Sequence, residues 1–163
     1  MEKTKSKNKA LTGIAGAHFV VAEMSRKGYI ATVTSRNTEG VDILASNLDG
    51  SKLVSIQVKT SPNKYSTRSW ILSKKQENAY SKNLFYVFVD LNGEDQMPDF
   101  YIIPSEIVAD YIKNIYPETK KGLSEDEKKK RREKSDYRLY EIYDDKIAEK
   151  YHNKWENLGL GEE

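Results

Sequence analysis

Residues 84–91, Leu-Phe-Tyr-Val-Phe-Val-Asp-Leu, constrain the fold more than any other part of the chain. The run is almost continuously apolar, and a strand without alternation must be covered on both faces. The chain therefore needs elements above and below one sheet. Between residues 9 and 27, Leu11, Ile14, Ala15, His18, Val21, Ala22 and Ser25 form one stripe at helical spacing, and Gly28 stands where a helix terminator belongs. Residues 29–34 alternate as a strand. Residues 41–46 and 53–60 read as the arms of a β-hairpin around Asn47-Leu48-Asp49-Gly50. Trp70-Ile71-Leu72 is a short strand, and Ser73 with Gln76 forms a capping box for a helix to about residue 82. Residues 100–103 make a further strand, and Pro104-Ser105-Glu106 opens a helix with Ile107, Val108, Tyr111, Ile112 and Ile115 on its apolar face. This order predicts an α/β fold with a mixed central β-sheet flanked by helices.

The length of 163 residues suits a single domain with a proper core. Residues 1–8 read as a flexible basic leader, 9–115 as the core, and 116–163 as a charged and aromatic extension. In that extension Ser124-Glu125-Asp126-Glu127 caps a helix, and Lys128-Lys129-Lys130-Arg131-Arg132 follows with the sign the helix dipole favours. That basic cluster reads either as a phosphate-binding surface or as a solvated helix. Tyr137, Tyr140, Ile142, Trp155 and Leu158 are expected to return and pack on the core. The formal charge of +2 offers no global argument for nucleic acid, so such binding must rest on local clusters. The absence of cysteine removes disulfides, thiolate zinc sites and cysteine nucleophiles, and fits a reducing cytoplasm. Thr12, His18 and Glu23 interrupt the only stretch resembling a signal peptide. No run approaches the roughly 20 apolar residues of a membrane span, so a soluble, cytoplasmic protein is expected.

Three polar residues interrupt the hairpin: Asp42, Gln57 and Lys59. Strand alternation puts Gln57 and Lys59 on one face, where Asp42 can join them from the facing arm. A carboxylate, the Gln57 side-chain oxygen and the Val58 carbonyl suit a hard divalent cation such as Mg²⁺. Lys59 beside it would orient a water, stabilise charge developing on phosphate, or act as a base. The same trio also reads as a sheet-edge Asp-Lys ion pair with a hydrogen-bonded glutamine. His18 reads as a boundary histidine or as part of the site, and Glu23 as facing either solvent or the sheet. Arg36, Lys64, Arg68 and Lys74 are candidates for phosphate contacts. Trp70 reads as core.

Gly40-Val41-Asp42-Ile43 followed by Gln57-Val58-Lys59 resembles the PD-(D/E)XK nuclease superfamily, in the form where glutamine replaces the acid, as in Mrr-type restriction endonucleases. The helix containing Ala22-Glu23-Met24 and ending in Gly28-Tyr29 is similar to that branch, and the closing Tyr151-His152-Asn153-Lys154-Trp155 looks like the end of small bacterial members. The resemblance implies a restriction-endonuclease-like core and a nuclease acting on nucleic acid, DNA foremost, with Mg²⁺ or Mn²⁺. Asp42, Gln57 and Lys59 would be catalytic, with Asp42, Gln57 and Val58 holding the metal. The glutamate that the first helix brings in related branches is here Ala17, leaving Glu23 as the carboxylate to replace it. Two alternatives stay open: a nuclease-fold DNA-binding module without cleavage, and a protein-interaction domain forming a homodimer.

Overall fold

The computed structural model describes residues 2–35, 39–62, 68–114 and 124–161, with side chains from Lys9 onward. Helix α1 (Glu2–Arg26) leads into β1 (Ile30–Val33), β2 (Ile43–Ser46), β3 (Leu53–Ser61) and β4 (Arg68–Ser73). A 3₁₀ turn (Lys74–Glu77) precedes β5 (Leu84–Asp90), β6 (Asp99–Pro104) and α2 (Ser105–Asn114). Helix α3 (Glu125–Lys134), β7 (Tyr137–Ile142), α4 (Asp145–Tyr151) and a second 3₁₀ turn (Trp155–Leu158) complete the described chain.

The main sheet has the order β1-β2-β3-β5-β6, with β3 and β5 parallel and every other neighbouring pair antiparallel. Strand β5 is covered on both faces, as its unbroken apolar run requires. Phe85, Val87 and Val89 point into one core with Val20, Met24, Ile43, Ile56, Trp155, Leu158 and Leu160. Tyr86 and Phe88 point into a second core with Trp70, Leu72, Tyr101, Ile103, Val108, Ile112, Tyr140 and Ile142. The expected mixed α/β architecture, a mixed sheet flanked by helices, is the one found.

A parallel pair needs a long crossover. Here it runs through β4, which leaves the main sheet and pairs antiparallel with β7, a strand far away in sequence. Trp70 anchors this second sheet against the first: its ring lies 4.9 Å from Phe88, and its Nε1 donates to the Val89 carbonyl at 2.9 Å. The β4-β7 pair covers β5, β6 and the later part of β3 but leaves β1, β2 and the start of β3 open on that face, with Ile30, Leu44 and Leu53 exposed.

Several local expectations shift. Helix α1 starts within the segment read as a leader and ends at Gly28, whose φ of +83° provides the left-handed terminator. Its buried edge is Gly16, Val20 and Met24, whereas Leu11, Ile14 and His18 face outward. The reason is steric: Gly16 lies so close to β3 that a Cβ there would stand 1.9 Å from Thr60 Oγ1, and this contact fixes the helix rotation. The capping box at Ser73 forms, but only the short 3₁₀ turn follows it. The chain is then diverted because Ser105 Oγ holds both the amide and the carbonyl of Ser81. In α2, Val108, Ala109 and Ile112 are buried while Ile107 is exposed, and Ile115 lies outside the described residues.

The C-terminal segment contributes to both cores. Tyr140 stacks on Phe88 at 4.7 Å, and Trp155 lies 5.2 Å from Phe100 on the opposite side of the sheet. Asn157 Nδ2 donates to the Ile102 carbonyl at 3.0 Å, fastening the last 3₁₀ turn to β6. Helix α3 carries the expected Ser124–Glu127 capping box and buries none of its residues. Among the described residues, no helix is long and apolar enough to cross a membrane.

Candidate active site

The site is set by the strand edge that opens where β2 parts from β3. The Ser55 amide and the Ser61 carbonyl both bond toward β5. Alternation therefore turns the main-chain groups of the even-numbered residues of β3 toward β2. The Asp42 amide confirms this by donating to the Ile56 carbonyl at 2.8 Å. Pairing of β2 with β3 begins at Ile43 and Ile56, so beyond that point the next amide, that of Val58, has no strand to meet. The Asp42 carboxylate takes that role, with Oδ2 accepting from Val58 N at 2.7 Å. Because the N–H and C=O of one strand residue point to the same edge, the Val58 carbonyl emerges beside Asp42. The backbone of Asp42 is held in turn by Thr34, whose amide donates to the Asp42 carbonyl at 2.9 Å and whose Oγ1 donates to the Val41 carbonyl at 2.6 Å.

Gln57 and Lys59 share the face covered by β4. Gln57 Oε1 accepts from Gln76 Nε2 at 2.9 Å. The orientation of both amides follows from the far end: Gln76 Oε1 accepts from the Ser73 amide at 2.6 Å, so its nitrogen must be the group turned to Gln57. Gln76 is 3% exposed, and it keeps one lone pair of the Gln57 oxygen available. Lys59 differs from its neighbours: among the described residues its ammonium has no hydrogen bond and no ion pair. Burial pushes its pKa below the ordinary lysine value, the Asp42 charge opposes that shift, and Lys75 adds to it. A half-buried, unpaired amine in a cleft is a candidate for a functional position.

Two clefts flank β3. One, of about 470 Å³, is lined by Gln57, Lys59, Lys75, Gln76 and residues of β4 and β7. The other, of about 450 Å³, is lined by Asp42, Val58, Thr34 and the α1 residues Ala17 and His18. The Gly16–Thr60 approach therefore brings the position expected for a first-helix glutamate, Ala17, to the same cleft as Asp42. Glu23 does not join them: it lines neither cleft and is paired with Arg26 one turn along α1. His18 is exposed and lines the Asp42 cleft.

Of the four proposed phosphate contacts, Arg36 and Lys64 lie outside the described residues. Arg68 is tied to the Ile142 carbonyl at 2.9 Å and to Asp145 at 2.7 Å. Lys74 reaches the Glu133 carbonyl at 3.0 Å. Neither lines a cleft, because both side chains fasten the crossover to the C-terminal segment. Among the described residues, the cations that do line the clefts are Lys59 and Lys75, the latter next in sequence to Lys74, in one, and Lys9 in the other. Gln76, the neighbour of Lys75, was legible only as a cap residue.

The donors expected for a hard divalent cation were Asp42, the Val58 carbonyl and the Gln57 oxygen; the structure places Asp42 and Val58 in one cleft and Gln57, with Lys59, in the other, on either side of β3. Asp42 Oδ1 has no hydrogen-bond partner among the described residues, the Val58 carbonyl shares its edge, and Gln76 holds the Gln57 amide in place. These oxygen donors fit a Mg²⁺-like ion that retains several waters. Among the described residues no three His, Asp or Glu side chains cluster as a metal site, and Asp42 is the one carboxylate among these expected donors.

No family model matches the chain, and no curated protein matches it in sequence. In fold the chain is similar to a solved bacterial homing endonuclease, I-Ssp6803I, with a TM-score of 0.56 and 13% identity over 91% of this chain and 89% of that one.

Proposed function

We propose that this chain is a nuclease of the PD-(D/E)XK kind, hydrolysing DNA phosphodiester bonds in the cytoplasm with Mg²⁺ or Mn²⁺. The observation carrying this reading is the Asp42 carboxylate held on the Val58 amide at an open strand edge, with an oriented Gln57 amide and an unpaired, half-buried Lys59 on the adjoining face of β3, close enough for the Asp42 charge to act on Lys59. The fold likeness to an endonuclease supports it.

A hard divalent cation, when bound, supplies Lewis acidity to the phosphoryl oxygens and acidifies a water. The remaining work falls to the chain. Asp42 provides the anionic ligand, and Val58 and Gln57 provide neutral oxygens. Lys59, as an ammonium, orients the attacking water and places its charge against the phosphoryl oxygens as negative charge builds there. Arg36 and Lys64 remain proposed contacts to flanking phosphates.

The competing reading is a nuclease fold that binds DNA without cutting it, favoured by the single carboxylate and by Ala17 at the Asp42 cleft. Incubation of supercoiled plasmid with the purified protein in Mg²⁺, Mn²⁺ or EDTA separates the two. Nicking in either metal that EDTA abolishes supports the nuclease. Retention of DNA with intact plasmid under all three conditions refutes it.

A further inference from the structure

Lys75 stands at the rim of the cleft that contains Gln57 and Lys59, and its ammonium is held by Glu39 at 2.7 Å. Glu39 belongs to the turn that leads into Asp42, and Lys75 to the 3₁₀ turn after β4. The pair therefore ties the turn before Asp42 to a residue that lines the cleft holding Gln57 and Lys59. Both partners are exposed, at 63% and 78% of their side-chain surface, and an ion pair of that kind contributes little to stability. Each partner nevertheless holds the other in its charged form, since the Lys75 pKa is raised and the Glu39 pKa lowered by their contact. Asp136 is a further acidic group near Lys75 and lines the same cleft, and Lys59 is a nearby cation that feels the Asp42 charge but forms no ion pair among the described residues.

We infer that Lys75 is a phosphate-binding residue of this cleft, held in reserve by Glu39, and that an entering DNA phosphate displaces the Glu39 carboxylate. Carboxylate and phosphate oxygens compete for the same ammonium, and a DNA phosphate at the rim also meets the charge of Lys59. The exchange releases the turn before Asp42 from Lys75. It leaves the cleft with two cations facing the backbone of the strand to be cut. This inference rests on the nuclease reading.

The test is binding of a fluorescein-labelled duplex by anisotropy, in Ca²⁺ buffer across a salt series, for the full chain and for Glu39→Gln, Lys75→Ala and the double variant. Circular dichroism checks that each is folded, and Lys75→Arg tests rescue. Removing the competing carboxylate is expected to tighten binding roughly two- to fivefold, the range matching a surface ion pair. Lys75→Ala is expected to weaken binding and to lower the log–log salt slope by about 0.9, one phosphate contact. The double variant should behave as Lys75→Ala alone, and Lys75→Arg should retain binding. The inference is overturned if Glu39→Gln brings the same gain with and without Lys75, or if Lys75→Ala changes neither affinity nor slope. Lack of any DNA binding overturns it together with the nuclease reading. Lys75-dependent binding without metal-dependent nicking overturns only the latter.

Discussion

Replacing Lys59 by methionine distinguishes a functional amine from a structural one. The ammonium is half-buried and has no ion pair or hydrogen bond among the described residues, and burial outweighs the attraction of Asp42 on its pKa. Exchanging a poorly compensated buried charge for an apolar side chain of similar length is commonly stabilising by about 1–2 kcal/mol. For a chain of this length that corresponds to a rise in Tm of roughly 2–8 °C. The sign follows from proton linkage. With its folded pKa below the unfolded value near 10.4, the native state binds fewer protons than the unfolded state between those two pKa values. Wild-type stability therefore rises with pH through that window. The advantage of Lys59→Met is full below the folded pKa and shrinks as pH approaches the unfolded one. Urea unfolding at a series of pH values, with unchanged m, measures this directly. A loss of more than about 1 kcal/mol at neutral pH would show that Lys59 is a stabilising partner of Asp42, the magnitude expected for breaking a hydrogen-bonded charge, and would refute the reasoning.

Asp42→Asn keeps an oxygen for the Val58 amide and is expected to change unfolding free energy by less than about 1 kcal/mol, whereas Asp42→Ala removes the acceptor and should cost about 1.5–3 kcal/mol in urea unfolding. Gly16→Ala is expected to destabilise by about 1–3 kcal/mol despite the better helix propensity of alanine, because the new Cβ meets Thr60 Oγ1 at 1.9 Å; urea unfolding checks this too. Gln76→Ala releases the Gln57 amide and should weaken Mn²⁺ affinity about 10- to 100-fold, the range typical of groups that orient metal ligands, as read by calorimetric titration.

The two-faced burial of β5 was legible because coverage on both sides writes itself into the local sequence as an unbroken apolar run. The hairpin was legible for a similar reason: Asn47 and Gly50 carry the turn chemistry, and Gly50 takes a φ of +72°. Pairing of β4 with β7 was not, since neither strand's pattern names a partner that arrives long after β5 and β6. Helix α1 misled because apolar spacing defined a broad stripe through Leu11 and His18, while a single glycine contact with Thr60 selected a different edge to bury.

At the site, Asp42, Gln57 and Lys59 stood out as polar interruptions of β-branched strands. The sequence did not show that Asp42 would end the β2–β3 pairing and cap the Val58 amide. Nor did it reveal Gln76, whose capping-box role hides its second hydrogen bond to Gln57. Glu23 was an open choice between sheet and solvent, and its pairing with Arg26 keeps it on its own helix. Lys74 and Lys75 are indistinguishable by composition. Only the direction of the 3₁₀ turn sends one to Glu133 and the other to the cleft.

The central claim is that Asp42 and Lys59 serve hydrolysis of DNA, and it is tested most directly by single-turnover nicking of supercoiled DNA in Mg²⁺ or Mn²⁺. Wild type, Asp42→Asn and Lys59→Met would be purified and assayed side by side, each with unfolding confirmed as cooperative. Loss of each polar group is predicted to slow nicking at least about 100-fold, the scale of a lost charge-stabilising group, although both variants remain folded. Equal nicking by all three proteins, or none by wild type in either metal, would contradict it.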